Sequence, residues 1–123
     1  MDNNKTGRKT WIFPDAELPP PGDSLMKGHE SLIILNLNKE KAKIEITLYF
    51  SDDDPVKLSE ISVEPERVKC IRLDNSEEIG YSIPLETQYA VKVESTVPVV
   101  AQYGRLDARQ NNLAYYTTMG FTI

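Results

Sequence analysis

The residues with the most chemistry in this 123-residue chain lie close together in VPVVAQYGRLDARQ, Val97 to Gln110. The first half of that stretch reads as a buried β-strand. The second half places Arg105, Asp107, Arg109 and Gln110 within six residues. If the strand continues extended, its two-residue period carries Arg105, Asp107 and Arg109 along the face of Val99, Ala101 and Tyr103. If the chain instead turns helical after Gly104, Arg105 and Arg109 stand four apart and share a side. Either geometry aims two guanidiniums in a similar direction with a carboxylate near them. One Asp neutralises one Arg, which leaves the second for another acid, a carbonyl or a ligand. Two readings stay open. One is an internal Arg–Asp clamp tying the strand end to neighbouring loops. The other is a polar surface with planar donors for a carboxylate, phosphate or sugar.

Other residue types that could do chemistry are sparse. The single histidine, His29, shares a strand face with Ser31, a common coincidence, and the Gly-x-Ser-x-Gly elbow of a hydrolase is absent. One His and one Cys cannot supply a zinc site. The acidic SDDDP, Ser51 to Pro55, lacks the glycine and distal glutamate of a calcium loop and reads as a turn. No glycine-rich phosphate loop occurs. No catalytic residue, metal site or cofactor is therefore expected. Cys70 lies among apolar residues in RVKCIRL and reads as an inert buried thiol, in keeping with a reducing compartment. Trp11, the only tryptophan, is either a core anchor or a stacking platform for a ligand ring.

The elements that must position these residues read as strands. Apolar residues make up 40% and charged residues 27%, a balance that supports a packed core in one domain. Residues 1–8 read as a polar tail and 9–123 as the domain. KTWIF is a short strand, and PDAELPPPGD, with four prolines, is expected to run stiffly over the surface. ESLIILNL is apolar almost throughout, as when both faces of a strand are covered. AKIEITLYF alternates, with Ile44, Ile46, Leu48 and Phe50 on one side. KLSEISV and RVKCIRL are two further strands, DNSEEIGYSIP is a loop, and QYAVKVES and PVVAQYGRL are strands joined by a tight turn. LAYYTTMGFTI closes the chain as a core strand or an interface. About eight short strands without a helical period predict an all-β fold, an antiparallel two-layer β-sandwich of jelly-roll-like kind. The formal charge of −5 disfavours nucleic acid as a partner. With no apolar leader and no long apolar run, a cytoplasmic location is expected.

Taken in order, the early Trp11, LPPPG, GHES…ILN, IEITLYFSDDDP, VP…Q and above all RLDARQ resemble the sensory rhodopsin transducer family. The resemblance covers about Arg8 to Gln110. It implies an antiparallel β-sandwich, a homotetramer, a cytoplasmic location and a signalling or adaptor role beside a membrane photoreceptor. It also implies binding of a sugar or another small polar ligand, with a DNA-linked role as a further alternative. The matching positions are Trp11, Pro19, Pro20, Gly22, His29, Glu30, Arg105, Asp107, Arg109 and Gln110. From these, Trp11, His29, Glu30, Arg105, Asp107, Arg109 and Gln110 are the expected ligand-binding residues.

Overall fold

The computed structural model describes residues 6–23, 25–109 and 113–123. Nine strands, β1 (Arg8–Glu17), β2 (His29–Asn36), β3 (Ala42–Phe50), β4 (Val56–Lys57), β5 (Ile61–Val63), β6 (Arg67–Arg72), β7 (Gln88–Asp107), β8 (Ala114–Met119) and β9 (Phe121–Thr122), and one helical turn, α1 (Ser76–Ile79), make up the described elements. All pairings are antiparallel. One sheet places β3 and β1 on either side of the first half of β7, with β4 and β5 beyond β3 and β9 beyond β1. The second sheet is β6, β2, the second half of β7, and β8. The result is the antiparallel β-sandwich that the strand pattern predicts.

β7 belongs to both layers. Where two separate strands and a tight turn are expected, the chain stays extended for 20 residues. Arg8 pairs with Val99 and Thr10 with Glu94, so two steps along β1 face five along β7. The surplus residues form a bulge at Ser95–Pro98, and a bulge bends its strand sharply. Pro98 fits there because an unpaired position needs no N–H. Alternation survives the bend: Tyr89, Val91, Val93, Val97, Val99, Ala101 and Tyr103 are all buried. Both legs of this arch therefore face one core, with Leu32 and Ile34 of β2, Ile44, Ile46 and Leu48 of β3, and Phe13 of β1.

Four other segments differ from the expected pattern. β1 starts at Arg8 and continues through Pro14 to Glu17, because a register shift between Phe13 and Ala16 accommodates the proline. Ala16, Leu18 and Pro19 of the proline-rich segment are buried rather than laid over the surface. KLSEISV divides into β4 and β5, separated where Leu58 donates its N–H to Ile46 O at 2.9 Å. The expected DNSEEIGYSIP loop contains α1, whose Asn75 side chain caps Glu78 N–H at 3.2 Å and whose Gly80, at φ 76°, closes it.

The two outer faces are unlike. On the first sheet, Lys43, Glu45, Lys92 and Glu94 alternate with buried positions, giving a charged, wetted face. On the second sheet, cross-strand register sets Val68 beside Leu35 and Val100, and Cys70 beside Ile33, Gln102 and Met119. No charge interrupts those two rows. The apolar run of β2 suggests cover on both faces, but among the described residues only its inner face, with Leu32 and Ile34, meets the core, and Ile33 and Leu35 stay partly exposed. Cys70 is correspondingly exposed, not buried as the sequence suggests, because it points outward from edge strand β6.

Candidate functional site

The polar end of β7 meets the ends of β1 and β2. Cα partners Glu30 and Arg105 face each other in unbroken register with Leu32 and Tyr103, so Arg105 lies on the inner, core-side face. Extended chain, not helix, thus carries Arg105 and Asp107. The Arg105 side chain is 12% exposed and lies 3.6 Å from Asp107 Oδ2 and 3.9 Å from Glu17 Oε1. Among the described residues it makes these ion pairs and no hydrogen bond. Asp107 turns its carboxylate mainly to Arg109, accepting from Nη2 at 2.5 Å, from Nε at 3.1 Å and from the main-chain N–H at 3.0 Å. Those bonds, before the nearby charges, hold its carboxyl down at about 2. Arg109 also lies 3.7 Å from Glu86 Oε2. Glu86 has φ 53°, a left-handed conformation rare outside glycine, and its N–H donates to Leu18 O at 2.8 Å.

Glu30 is fully buried. Its carboxylate accepts from Tyr89 Oη at 2.5 Å, from the Glu17 N–H at 2.9 Å and from the Tyr103 hydroxyl. Burial pushes this carboxyl up, while the Tyr89 bond, the Glu17 N–H and the charge of Arg105 pull it back. Burial beside that carboxylate also raises the Tyr89 phenol. Glu30 therefore contributes to the cluster from inside, sealed from any visitor.

The remaining expected site residues lie apart. Trp11 is a core anchor, 5% exposed, with Nε1 donating to Val99 O at 3.0 Å and Arg8 O at 3.1 Å. His29 is adjacent to Glu30 on β2 and so points to the opposite face of the sheet. Its Nδ1 lies 2.8 Å from Lys27 O, and it lines a surface hollow with Leu25, Met26, Lys27 and Arg72. Gln110 falls outside the described residues. Glu17, Glu86, Tyr89 and Tyr103 join the cluster without having been expected there. Alternation marks the tyrosines as inward, but nothing in sequence spacing brings Glu17 or Glu86 to β7.

The cluster is acidic on balance, since Glu17, Glu30, Glu86 and Asp107 surround Arg105 and Arg109. Its carboxylates already occupy the guanidinium faces that would receive a phosphate, which favours a neutral hydroxylated or cationic ligand over an anion. Beyond Tyr116, the partner of Arg105 on β8, a groove of about 590 Å³ opens between β1 and β8. Phe13, Pro14, Tyr116, Met119 and Phe121 line it, with Asp15 and two threonine hydroxyls as its polar groups. Aromatic walls with a few convergent polar groups suit a ring-shaped polar ligand. No cluster of His, Cys, Asp or Glu suited to a metal occurs among the described residues.

An antiparallel β-sandwich whose strand-end charges are mutually paired, beside an aromatic groove, has the character of a binding module. Comparison with known proteins makes this specific. The family model of the Anabaena sensory rhodopsin transducer matches residues 6–122, and the chain belongs to that family. The crystal structure of Thermotoga maritima 1070 is similar, with TM-score 0.87 and 37% identity, over 96% of this chain and 97% of that one. The Anabaena sensory rhodopsin transducer itself is similar with TM-score 0.74 and 35% identity, over 88% of this chain and 96% of that one. None of the curated proteins matches.

Proposed function

We propose that this chain is a non-enzymatic signalling adaptor that docks on a membrane receptor, a sensory rhodopsin or a receptor of similar topology, from the cytoplasmic side. The match to the transducer family over nearly the whole chain carries this reading. Charge supports it: cytoplasmic loops of membrane proteins are enriched in Lys and Arg, and a chain of formal charge −5 is steered towards them. The wetted face of the first sheet carries Glu45 and Glu94, paired at the surface with Lys57 and Lys92, and a basic loop would compete with those lysines for them. The two uncharged rows on the outer face of the second sheet, continued by exposed Tyr115 and Met119 of β8, support assembly into the homotetramer that the family resemblance implies. Binding of the full chain to a sensory rhodopsin in nanodiscs, followed by calorimetry at low and high salt, tests the reading. Saturable binding that weakens as salt rises is expected, and no binding at low salt overturns it.

A second reading is favoured by the aromatic groove. In it the chain senses a sugar or a related polar ligand between β1 and β8, as a partner to docking or as an accessory protein on its own. The ligand changes partner affinity only if it binds two states unequally. A thermal-shift screen against sugars checks this. A ligand at a hundred times its Kd stabilises by about 2.7 kcal/mol, and a screen without a shift removes the reading.

A further inference from the structure

The arch of β7 closes on a single carboxyl group. Fourteen steps of extended chain separate Tyr89 from Tyr103, a contour of about 46 Å at about 3.3 Å per residue. Both phenols nevertheless meet on Glu30, one from the leg in each sheet. The Glu17 N–H of β1 reaches the same group. The structure thus puts a fully buried carboxyl, with a donor from each of three chain segments, at the junction of the two layers. We propose that Glu30 is a proton-binding site that ties the two legs of the β7 arch together and sets the charge balance around Arg105.

The chemistry follows from donor count. Ionised, Glu30 is an acceptor only, and two O–H groups and one N–H converge on it. A proton taken from water adds to one carboxylate oxygen and neutralises one negative charge. That oxygen then donates, so Tyr89 or Tyr103 must turn its own O–H away and accept. The charged and titratable groups facing Glu30 are few. From β7 they are Arg105, with Asp107 behind it, and the phenols. From β1 it is Glu17. Just past β6 the chain approaches by main chain alone, Leu73 N–H donating to Glu30 O at 3.0 Å. His29 lies on the far face. Loss of the Glu30 charge leaves Arg105 with Glu17 and Asp107, so the cluster becomes less acidic by one unit. This holds whether or not the cluster or the groove takes a ligand.

Burial raises the Glu30 carboxyl, so the folded chain holds this proton more tightly than the unfolded one. Its stability contribution is complete below the ordinary glutamate value of about 4.3 and is lost as pH rises through the folded-state value. Carboxyl-detected NMR of the full chain, titrated from about pH 4 to about pH 8, reads the site directly. The expected result is a Glu30 midpoint above the ordinary value, with Tyr89 and Tyr103 ring signals moving at the same midpoint. Denaturant unfolding of wild type and Glu30→Gln should show their ratio of folding constants falling about tenfold per pH unit between those two values. If Glu30→Gln does not fold, Tyr103→Phe serves instead, since removing a donor to the ionised form should move the Glu30 midpoint further up. A midpoint at or below the ordinary value, ring signals that ignore it, or an unmoved midpoint in Tyr103→Phe overturns the proposal.

Discussion

Asp107 is the residue on which both arginines depend. It sits between Arg105 and Arg109, and the Arg109 bonds lower its carboxyl to about 2. A depressed carboxyl stabilises the fold above the unfolded-state value of about 3.9 and loses that contribution as pH falls towards the folded value. Asp107→Asn should therefore flatten the acid limb of the stability profile below about pH 4, as measured by circular dichroism melts. It should also leave two guanidiniums facing Glu17 and Glu86 with one acid fewer. Trp11 makes a different point. Its indole N–H holds Val99 O at the arch, where β1 and β7 are out of register. Trp11→Phe keeps the ring in the core but removes that donor, and should lower unfolding free energy by about 1–2 kcal/mol in a urea titration.

Among the elements, the last two strands repeat on a small scale what β7 does. β8 pairs with β7 in one sheet and β9 pairs with β1 in the other, and the chain crosses between layers at Gly120. A Cβ there would lie 2.7 Å from Ile12 O and 2.9 Å from the Phe13 ring. Gly120→Ala should detach β9, costing about 1–3 kcal/mol and abolishing hydrogen-exchange protection of the Phe121 and Thr122 amides. At the opposite end from the acidic cluster, β2 finishes on Asn36. Its buried amide donates to the carbonyls of Glu40, Val63 and Glu64 and accepts from the Asn38 N–H and side chain. Asn36→Leu would orphan those carbonyls, and a loss of about 2–4 kcal/mol is expected by chemical denaturation.

For the whole molecule, the contrast between a charged face and one with two uncharged rows separates two kinds of contact. Copies of a chain with formal charge −5 repel each other, so they associate best through the rows that carry no charge. Met119→Lys, on the exposed row with Cys70 and Ile33, should shift sedimentation towards smaller species without altering the melt of the single chain. Receptor affinity should instead respond to Glu45 and Glu94, and its decline with salt is the measurement that distinguishes the two surfaces.

The sandwich class, the alternation of β3 and the inward tyrosines were legible because a two-residue period is a local property that each strand displays by itself. The family was legible in the order of its short motifs. The RLDARQ stretch likewise announced paired arginines. Sequence could not tell whether their partners were internal, because Glu17 and Glu86 reach β7 only through non-local pairing and one left-handed residue. It also missed that TVP bends one strand rather than ending it, since a bulge is defined by the register of a distant partner. The apolar outer side of β2 was visible, but that no layer of the described residues covers it emerged only once the sheets were assembled. Local chemistry determined what each residue could do; the folding of β7 onto both sheets decided which residues meet.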